Sequence, residues 1–570
     1  MSIFDIFKKK KYRHAFVEPD EIFLDAKNLP KFNQQQFEGR LERPIAKQTI
    51  SLVKAVCVLV LFIFVARLLY MQGFHGSAYL VQSEQNQLGK EPLFAERGVI
   101  YDRNNVELAW NDVPKNDEPF SRRTYIAEPG FGHLLGYVSY PSKDSSGVYW
   151  QTEFIGKDGI ERTYNDLLKG QNGTQLTERD VHGTVTVSNQ INKAVPGGNI
   201  TLAIDSRIQE QFSQAIENTI VSSGYEGGAA AMMDIQTGEL LALTSIPEYD
   251  PNVLSEGSNT SVIKGYLTSS SKPFLNRAID GLYSPGSIIK PFIAMAALTE
   301  GVVTPDTKIL AHGIITVPNP YDPAHPTIFR DYRANNGWVD LRHALAYSAN
   351  IYFYNVGGGF QNQRGIGIDK IGQYTHLFGL DMPTGVDGPN EQHGIIPSPA
   401  WKEKNFPGDQ WRVGDTYNTA IGQYGVQVTP IEMLRAVASV ANDGTLVTPH
   451  LVKGDTVAEA KKTVLGLRSD YFQVVREGMR LVVDDPLGTA KALNTLPFNV
   501  AAKTGTAQVG ANNEFLNSWA MGFFPYEKPR YAWVVLMEHG SAIQAPGATS
   551  VSLATLSWMA KNTPEYVSVK

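Results

Sequence analysis

The sequence predicts an α+β chain with one membrane-spanning helix, a β-rich module and a larger domain in which a five-stranded antiparallel sheet is covered by helices. Three observations predict it. Residues 55–66 form an unbroken apolar run between Lys54 and Arg67. The texture changes near residue 199, where a strand-like segment leads into apolar residues at helical spacing. Strand signals then cluster at the two ends of one long stretch. Two lie at 229–234 and 239–245, and three at 500–509, 518–524 and 531–537, with helical and looped sequence between. That distribution is what a single antiparallel sheet layered with helices produces.

Composition narrows the function classes. A chain of 570 residues that is 42% hydrophobic and 10% aromatic can pack extended cores, so global disorder is excluded. Its net charge of -6 provides no electrostatic footprint for a nucleic-acid partner. Cys57 is the single cysteine, so no internal disulfide can form. The eleven histidines lack metal-ligand spacing, and neither a metal site nor a cofactor is expected.

In chain order, residues 1–49 are polar and basic, from Lys8, Lys9, Lys10 and Lys11 to Arg40, Arg43 and Lys47, and are expected to form a cytoplasmic tail. Residues 50–72 reach the roughly 20 residues that a bilayer core requires, with Lys54 and Arg67 able to snorkel. The basic excess on the N-terminal side places the N-terminus in the cytoplasm and everything beyond residue 72 outside it. A cleaved signal peptide and a buried soluble helix are the rival readings of this segment. The first lacks an Ala-x-Ala site and has too long a leader; the second seldom carries so long an apolar run.

Residues 73–198 are expected to form a β-rich pedestal. Segments 97–102 and 106–110 flank Arg103-Asn104-Asn105 as two strands flank a turn, and no catalytic constellation is visible. Residues 199–570 form the second domain, with a strand at 199–205, a helix at 206–220 and a hairpin turn at Ile235-Gln236-Thr237-Gly238.

The stretch Tyr283-Ser284-Pro285-Gly286-Ser287-Ile288-Ile289-Lys290 is read as a helix start, with Ser284 as the N-cap and Pro285 at the first helical position. Ser287 then lies in the first turn, with Lys290 three residues on and on the same face. A serine is a poor nucleophile until a neighbour takes its proton, and a desolvated lysine can do that. Spacing alone is weak, since Ser-x-x-Lys also occurs at Ser51/Lys54, Ser261/Lys264 and Ser269/Lys272.

Its companions single out the last copy. Ser348 and Asn350 flank a small residue, so that a hydroxyl and an amide can project the same way from a turn. Lys503-Thr504-Gly505-Thr506 holds the only Lys-Thr-Gly, on a predicted strand where glycine permits close approach. Ser-x-x-Lys, Ser-x-Asn and Lys-Thr-Gly in this order form the motif set of penicillin-binding proteins and serine β-lactamases.

With these residues the chain resembles the class B penicillin-binding proteins, elongation type, over roughly residues 50–560. The resemblance also rests on the Arg97 to Arg103 segment, Gly156 to Glu161, Pro247 to Asn252, Gly414-Asp415-Thr416, Ile421-Gly422-Gln423, and Tyr352-Phe353-Tyr354 after Asn350. It implies a penicillin-binding domain on the predicted sheet and a D,D-transpeptidase that cross-links peptidoglycan stem peptides through a Ser287 acyl-enzyme. Lys290, Ser348, Asn350 and Lys503 would act with Ser287, and Thr504, Gly505 and Thr506 would bind substrate. It further implies β-lactams as covalent inhibitors, a RodA-like SEDS glycosyltransferase and other elongation-complex proteins as partners, and a single-pass place in the cytoplasmic (inner) membrane with the catalytic domain periplasmic. A D,D-carboxypeptidase, a β-lactam hydrolase, a non-catalytic scaffold or sensor, and a division-type transpeptidase remain the alternatives at this point.

Three departures from the family pattern stand out. Only about ten residues separate Asn111 from Arg122, where elongation-type relatives usually carry a large insertion. Tyr424 replaces the usual glycine after Gly-Gln, and Asn517 replaces a common histidine.

Overall fold

The structure, a computed structural model, describes residues 47–76, 88–114, 118–145, 147–179, 185–319, 322–388, 390–454, 461–510, 512–541 and 546–568. The expected cytoplasmic tail lies outside the described residues but for its last three. Two compact units are present, 1–88 and 89–570.

In the first unit, α1 (Lys47–Leu69) continues into a π-helical turn, Tyr70–Phe74. The 28 residues are long and apolar enough to cross a membrane, and none of the spanning window is buried within the protein. The expected span of 50–72 falls inside this helix.

The second unit holds a small sheet made of β1 (Ile100–Tyr101), β2 (Glu107–Asp112), β3 (Arg122–Tyr125) and β4 (Ile200–Thr201), in the order β4-β1-β2-β3, beside a three-stranded sheet of Leu88–Leu93, Gly173–Arg179 and Val185–Asn192. The turn between β1 and β2 is tied by Asp102, whose Oδ1 accepts from the N–H groups of Asn104 (2.7 Å) and Val106 (2.9 Å). Asn105 sits at φ 64°, which the turn needs and asparagine tolerates. β4 pairs parallel to β1, so the strand expected at 199–205 completes the pedestal sheet and bridges the expected boundary at 198/199.

The larger sheet follows from α2 (Ser206–Ser223), β5 (Gly227–Asp234) and β6 (Leu240–Ile246) early in the chain. Next come α3 (Lys290–Thr299), a ribbon of β7 (Ile309–Ala311), β8 (Ile314–Val317), β9 (Thr327–Arg330) and β10 (Gly337–Val339), then α4 (Asn350–Gly358), α5 (Pro430–Ala441) and α6 (Ser469–Asp484). The chain closes with β11 (Ala501–Val509), β12 (Phe515–Phe524), β13 (Tyr531–Ser541) and α7 (Ala548–Asn562).

The five strands form the expected antiparallel sheet in the order β6-β5-β13-β12-β11, with the early hairpin paired to the last strand. Every residue of β5 is buried, because both faces are covered. Alternation divides the strand: Ala230 and Met232 join the cluster that holds Ile208, Phe212, Leu556 and Met559 of α2 and α7. Ala229, Ala231 and Met233 join the larger cluster with Phe292, Met433 and Val437 on the other side. α5 is buried along its whole length and carries a reciprocal cap, Thr429 with Glu432.

One ionic cluster fixes the pedestal. Glu161 accepts from Arg97 Nε (2.6 Å) and Arg123 Nε (2.7 Å), and all three side chains are fully buried. Burial works against the Glu161 carboxylate, yet Arg123 and Arg97 outweigh it and hold its pKa below the usual carboxylate range. Its contribution to stability is therefore present above that range and lost as pH falls through the lowered folded value. Glu161→Gln strands two buried cations and is expected to cost about 3–5 kcal/mol, seen as a large drop in the thermal unfolding midpoint. Asp166→Asn, at the exposed Lys169 pair, is expected to leave the midpoint nearly unchanged.

Candidate active site

The segment expected to start a capped α-helix at Ser284 instead makes a 3-10 turn, Gly286–Ile289, before α3 begins at Lys290. Ser284 does not cap it; its carbonyl accepts from Trp519 Nε1 (2.9 Å). The tighter winding reinforces the expected geometry, since residues three apart eclipse one another in a 3-10 turn. Ser287 and Lys290 therefore share a side. The Ser287 hydroxyl is half-buried and makes no hydrogen bond among the described residues.

Two glycine contacts seat this turn. Gly286 has φ 56° and donates its N–H to the Gly422 carbonyl (3.0 Å). A Cβ on Gly422, itself at φ 77°, would lie 2.2 Å from the Gly286 carbonyl oxygen. On the other side is β11, the edge strand of the sheet, where a Cβ on Gly505 would meet the Pro285 carbonyl oxygen at 2.7 Å. Glycine is required here by backbone-to-backbone approach.

Lys290 is fully buried, and its Nζ donates to the Ser348 carbonyl (2.7 Å), Ser348 Oγ (3.2 Å) and Asn350 Oδ1 (2.7 Å). The Phe353 ring lies 5.3 Å from the same amine. Burial pulls its pKa down to about 7, with Asp331 opposing. Lys503, also fully buried, donates to Ser348 Oγ (3.1 Å) and the Thr504 carbonyl (2.8 Å). Burial, then the nearby Lys290, drive its pKa well down. Ser348 itself is held at φ 57°, a backbone conformation a serine rarely adopts.

The structure thus brings Lys290, Ser348, Asn350 and Lys503 into one hydrogen-bonded cluster, with Ser287 one turn before Lys290 and Gly505 against that turn. Thr506 is exposed beside them. Thr504 has its hydroxyl 2.6 Å from that of Thr489, a partner no motif announced. Asp331 was equally invisible in sequence: its carboxylate accepts from the N–H groups of Asn350 (2.9 Å) and Ile351 (3.3 Å), anchoring the start of α4. It lies nineteen positions before Asn350, with loop, strand and a short helix between, and only the fold joins them.

The departures find physical accounts. Tyr424 takes φ 57°, the conformation for which glycine is the usual residue, and its ring packs edge-on to Trp401 and Trp411 at 6.1 and 5.8 Å between centroids. Asn517 is buried at a bulge in β12, where its Oδ1 accepts from the His539 N–H (3.1 Å). β2 and β3 pair directly, Asp112 opposite Arg122, so the two strands are joined by a short connection.

A serine hydroxyl with no hydrogen-bond partner among the described residues thus lies on a turn packed against a sheet edge, one turn before a buried amine, an arrangement that can serve nucleophilic chemistry without an imidazole. Residues 228–555 match the penicillin binding protein transpeptidase domain, and residues 117–202 the penicillin-binding protein dimerisation domain. Among curated relatives, peptidoglycan D,D-transpeptidase MrdA of Haemophilus influenzae is 33% identical over 469 residues, covering 76% of this chain and 69% of the relative. The penicillin-binding protein PBP2 of Helicobacter pylori, solved in complex with MreC, superposes with TM-score 0.69 at 27% identity, covering 84% of this chain and 99% of that one. A chain from a structure described as a peptidoglycan synthase complex that coordinates polymerization and crosslinking matches with TM-score 0.69 at 26% identity, over 90% and 97%. The chain belongs to the penicillin-binding protein transpeptidase family.

Gly422→Ala is expected to displace the serine turn and slow acylation of the site by penicillin about 100-fold, since small misplacements of a nucleophile carry that cost. Intact-protein mass against time after penicillin addition measures the rate.

Proposed function

We propose that this chain is an elongation-type peptidoglycan D,D-transpeptidase in which Ser287 is the nucleophile. Its Oγ attacks the carbonyl between the two terminal D-alanines of a stem peptide while Lys290 accepts the hydroxyl proton. Ser348, bonded to both amines, relays a proton to the departing D-alanine amine as the C–N bond breaks. The resulting ester on Ser287 is then attacked by an amine of a neighbouring stem, which restores the serine and forms the cross-link. Asn350 and Lys503 position the donor. The N–H groups of Ser287 and Thr506 stabilise the oxyanion, a role for which an edge strand is suited because alternate N–H groups have no neighbouring strand to pair with. Gly505 lets the strand approach the serine turn, and the Thr504 and Thr506 hydroxyls bind the terminal carboxylate, Thr504 with Thr489 behind it.

The observation that carries the reading is the amine of Lys290. It is fully buried, and that burial lowers its pKa to about 7, so part of the population is uncharged near neutral pH and can take the Ser287 proton. Asp331 favours transfer over hydrolysis. Its charge acts on Lys290, and its two oxygens already accept from four donors, the N–H groups of Tyr332, Asn350 and Ile351 and the Asn336 amide, which leaves no acceptor site for a deacylating water.

The same reading assigns residues 73–198 to the pedestal and 199–570 to the transpeptidase domain. It places the N-terminus in the cytoplasm and the domain in the periplasm, held by α1 in the inner membrane. β-Lactams acylate Ser287 as substrate mimics. A RodA-like glycosyltransferase is the partner, supported by the likeness to a chain of a peptidoglycan synthase complex, and an MreC-like protein by the likeness to PBP2 bound to MreC.

Brief exposure of the purified chain to penicillin is expected to add one stable adduct, absent from Ser287→Ala, on intact mass. An adduct lost within seconds would indicate a hydrolase, and no adduct on folded protein would sink the assignment. The acylation rate is expected to rise with pH through a midpoint near 7, as Lys290 loses its proton. Asp331→Asn removes the charge that raises Lys290 and is expected to move the midpoint to lower pH in a stopped-flow pH series.

A further inference from the structure

Beside the catalytic cluster, β7 to β10 form one antiparallel ribbon in two halves. β7 pairs with β10 and β8 with β9, and between the halves residues 331–336 of one strand bulge against residues 312–313 of the other. The bulge is tied to the site: Asp331 anchors α4, and Arg333 Nη2 donates to the Leu487 carbonyl (2.7 Å). At the end of β9 the Arg330 carbonyl accepts from Asn350 Nδ2 and from the Tyr354 hydroxyl, both at 3.4 Å.

The inner side of the ribbon packs normally, with Ile309, Ala311, Ile315 and Val339 buried and Phe329 against Tyr354 and Tyr417. The outer side is unusual. Trp338 is 67% exposed and stands opposite Leu310, itself 44% exposed. Ile314 and Ile328 lie open on the other half, 49% and 45% exposed. Arg330 is the one charged residue within the four strands, and Lys308 precedes β7. Both are exposed, and neither has a carboxylate partner among the described residues. An isolated exposed leucine needs no explanation, but an exposed indole, three exposed aliphatic side chains and two cations without carboxylate partners among the described residues, along one ribbon that ends at the Asn350 side chain, do.

We propose that the outer side of this ribbon is a binding surface for the glycan-bearing part of a peptidoglycan strand, with Trp338 stacking on a sugar ring and Arg330 and Lys308 meeting stem-peptide carboxylates. The inference rests on the transpeptidase reading and extends it from the scissile bond to the polymer. Two features choose this occupant. The apolar faces of N-acetylated sugar rings match an open indole, and the carboxylates of stem peptides match cations that lack partners. Continuity decides between a polymer substrate and an anionic membrane: β9 runs directly into the backbone that holds Asn350, so a strand whose stem lies in the cleft passes along the ribbon.

The test uses the full-length chain in detergent and its Trp338→Ala and Lys308→Glu variants, each assayed for co-sedimentation with purified sacculi and for penicillin acylation of Ser287. The proposal expects retention on sacculi to fall about tenfold in each variant, in the range that losing one aromatic or charge-assisted contact gives. Penicillin, too small to reach the ribbon, is expected to acylate both variants within about twofold of the parent rate, which also reports that the site is folded. With glycan strands stripped of their stems, the Trp338→Ala defect is expected to persist and the Lys308→Glu defect to vanish. Unchanged retention on sacculi in both variants overturns the proposal. So does a loss confined to vesicles of anionic phospholipid, which would make the ribbon a membrane contact. A parent chain that penicillin does not acylate would instead overturn the transpeptidase reading, and is seen before any variant is compared.

Discussion

Two buried amines share one hydroxyl, and the site depends on that arrangement. Lys290 and Lys503 approach Ser348 Oγ from opposite motifs, at 3.2 and 3.1 Å, in surroundings that admit almost no water. Two ammonium groups cannot both keep full charge there, since each raises the cost of protonating the other and desolvation penalises both. The fold must therefore supply acceptors in number, and it does so with the Ser348 carbonyl, Asn350 Oδ1 and the Thr504 carbonyl. The strained backbone at Ser348 follows from the same need, because it turns both the carbonyl and the hydroxyl toward the amines.

That cluster is assembled from three separate layers. The serine turn belongs to the helical layer, Ser348 and Asn350 to the loop that starts α4, and Lys503 to the edge of the sheet. No covalent neighbour relation holds them in place, so registration falls to backbone contacts. Gly422, Gly286 and Gly505 let three main-chain segments approach more closely than any side chain would permit. An edge strand is ordinarily exposed to unwanted pairing; here a segment of the chain's own active site occupies its open side.

Much of this was legible in the sequence, and the limits have physical causes. The five strands were visible because they alternate or run apolar between turn residues, and the membrane helix because its apolar run is long. The three motifs were visible because each is local. Ser284 was misread as a cap because a Ser-Pro pair at a helix start looks the same whether the first turn is α or 3-10; the Trp519 indole that claims the Ser284 carbonyl is 235 residues away. Asp331 and Thr489 were missed for the same reason, since each acts through a contact made only on folding. β4 was seen as a strand but not as part of the pedestal sheet, because parallel pairing across a long connection leaves no local mark.

The loop Gly422 to Gly425 shows where such a site is free to diverge. Gly422 is fixed by its neighbour's backbone, whereas position 424 asks only that its residue tolerate a left-handed conformation. Tyrosine meets that demand through aromatic packing rather than through the absence of a side chain. Variation is thus channelled: position 424 can change together with its packing partners Trp401 and Trp411, while the glycine two residues earlier, pressed against the Gly286 backbone, stays as it is. Relatives of this chain would then differ in the aromatic packing behind the loop without differing in the backbone contact that seats the serine turn.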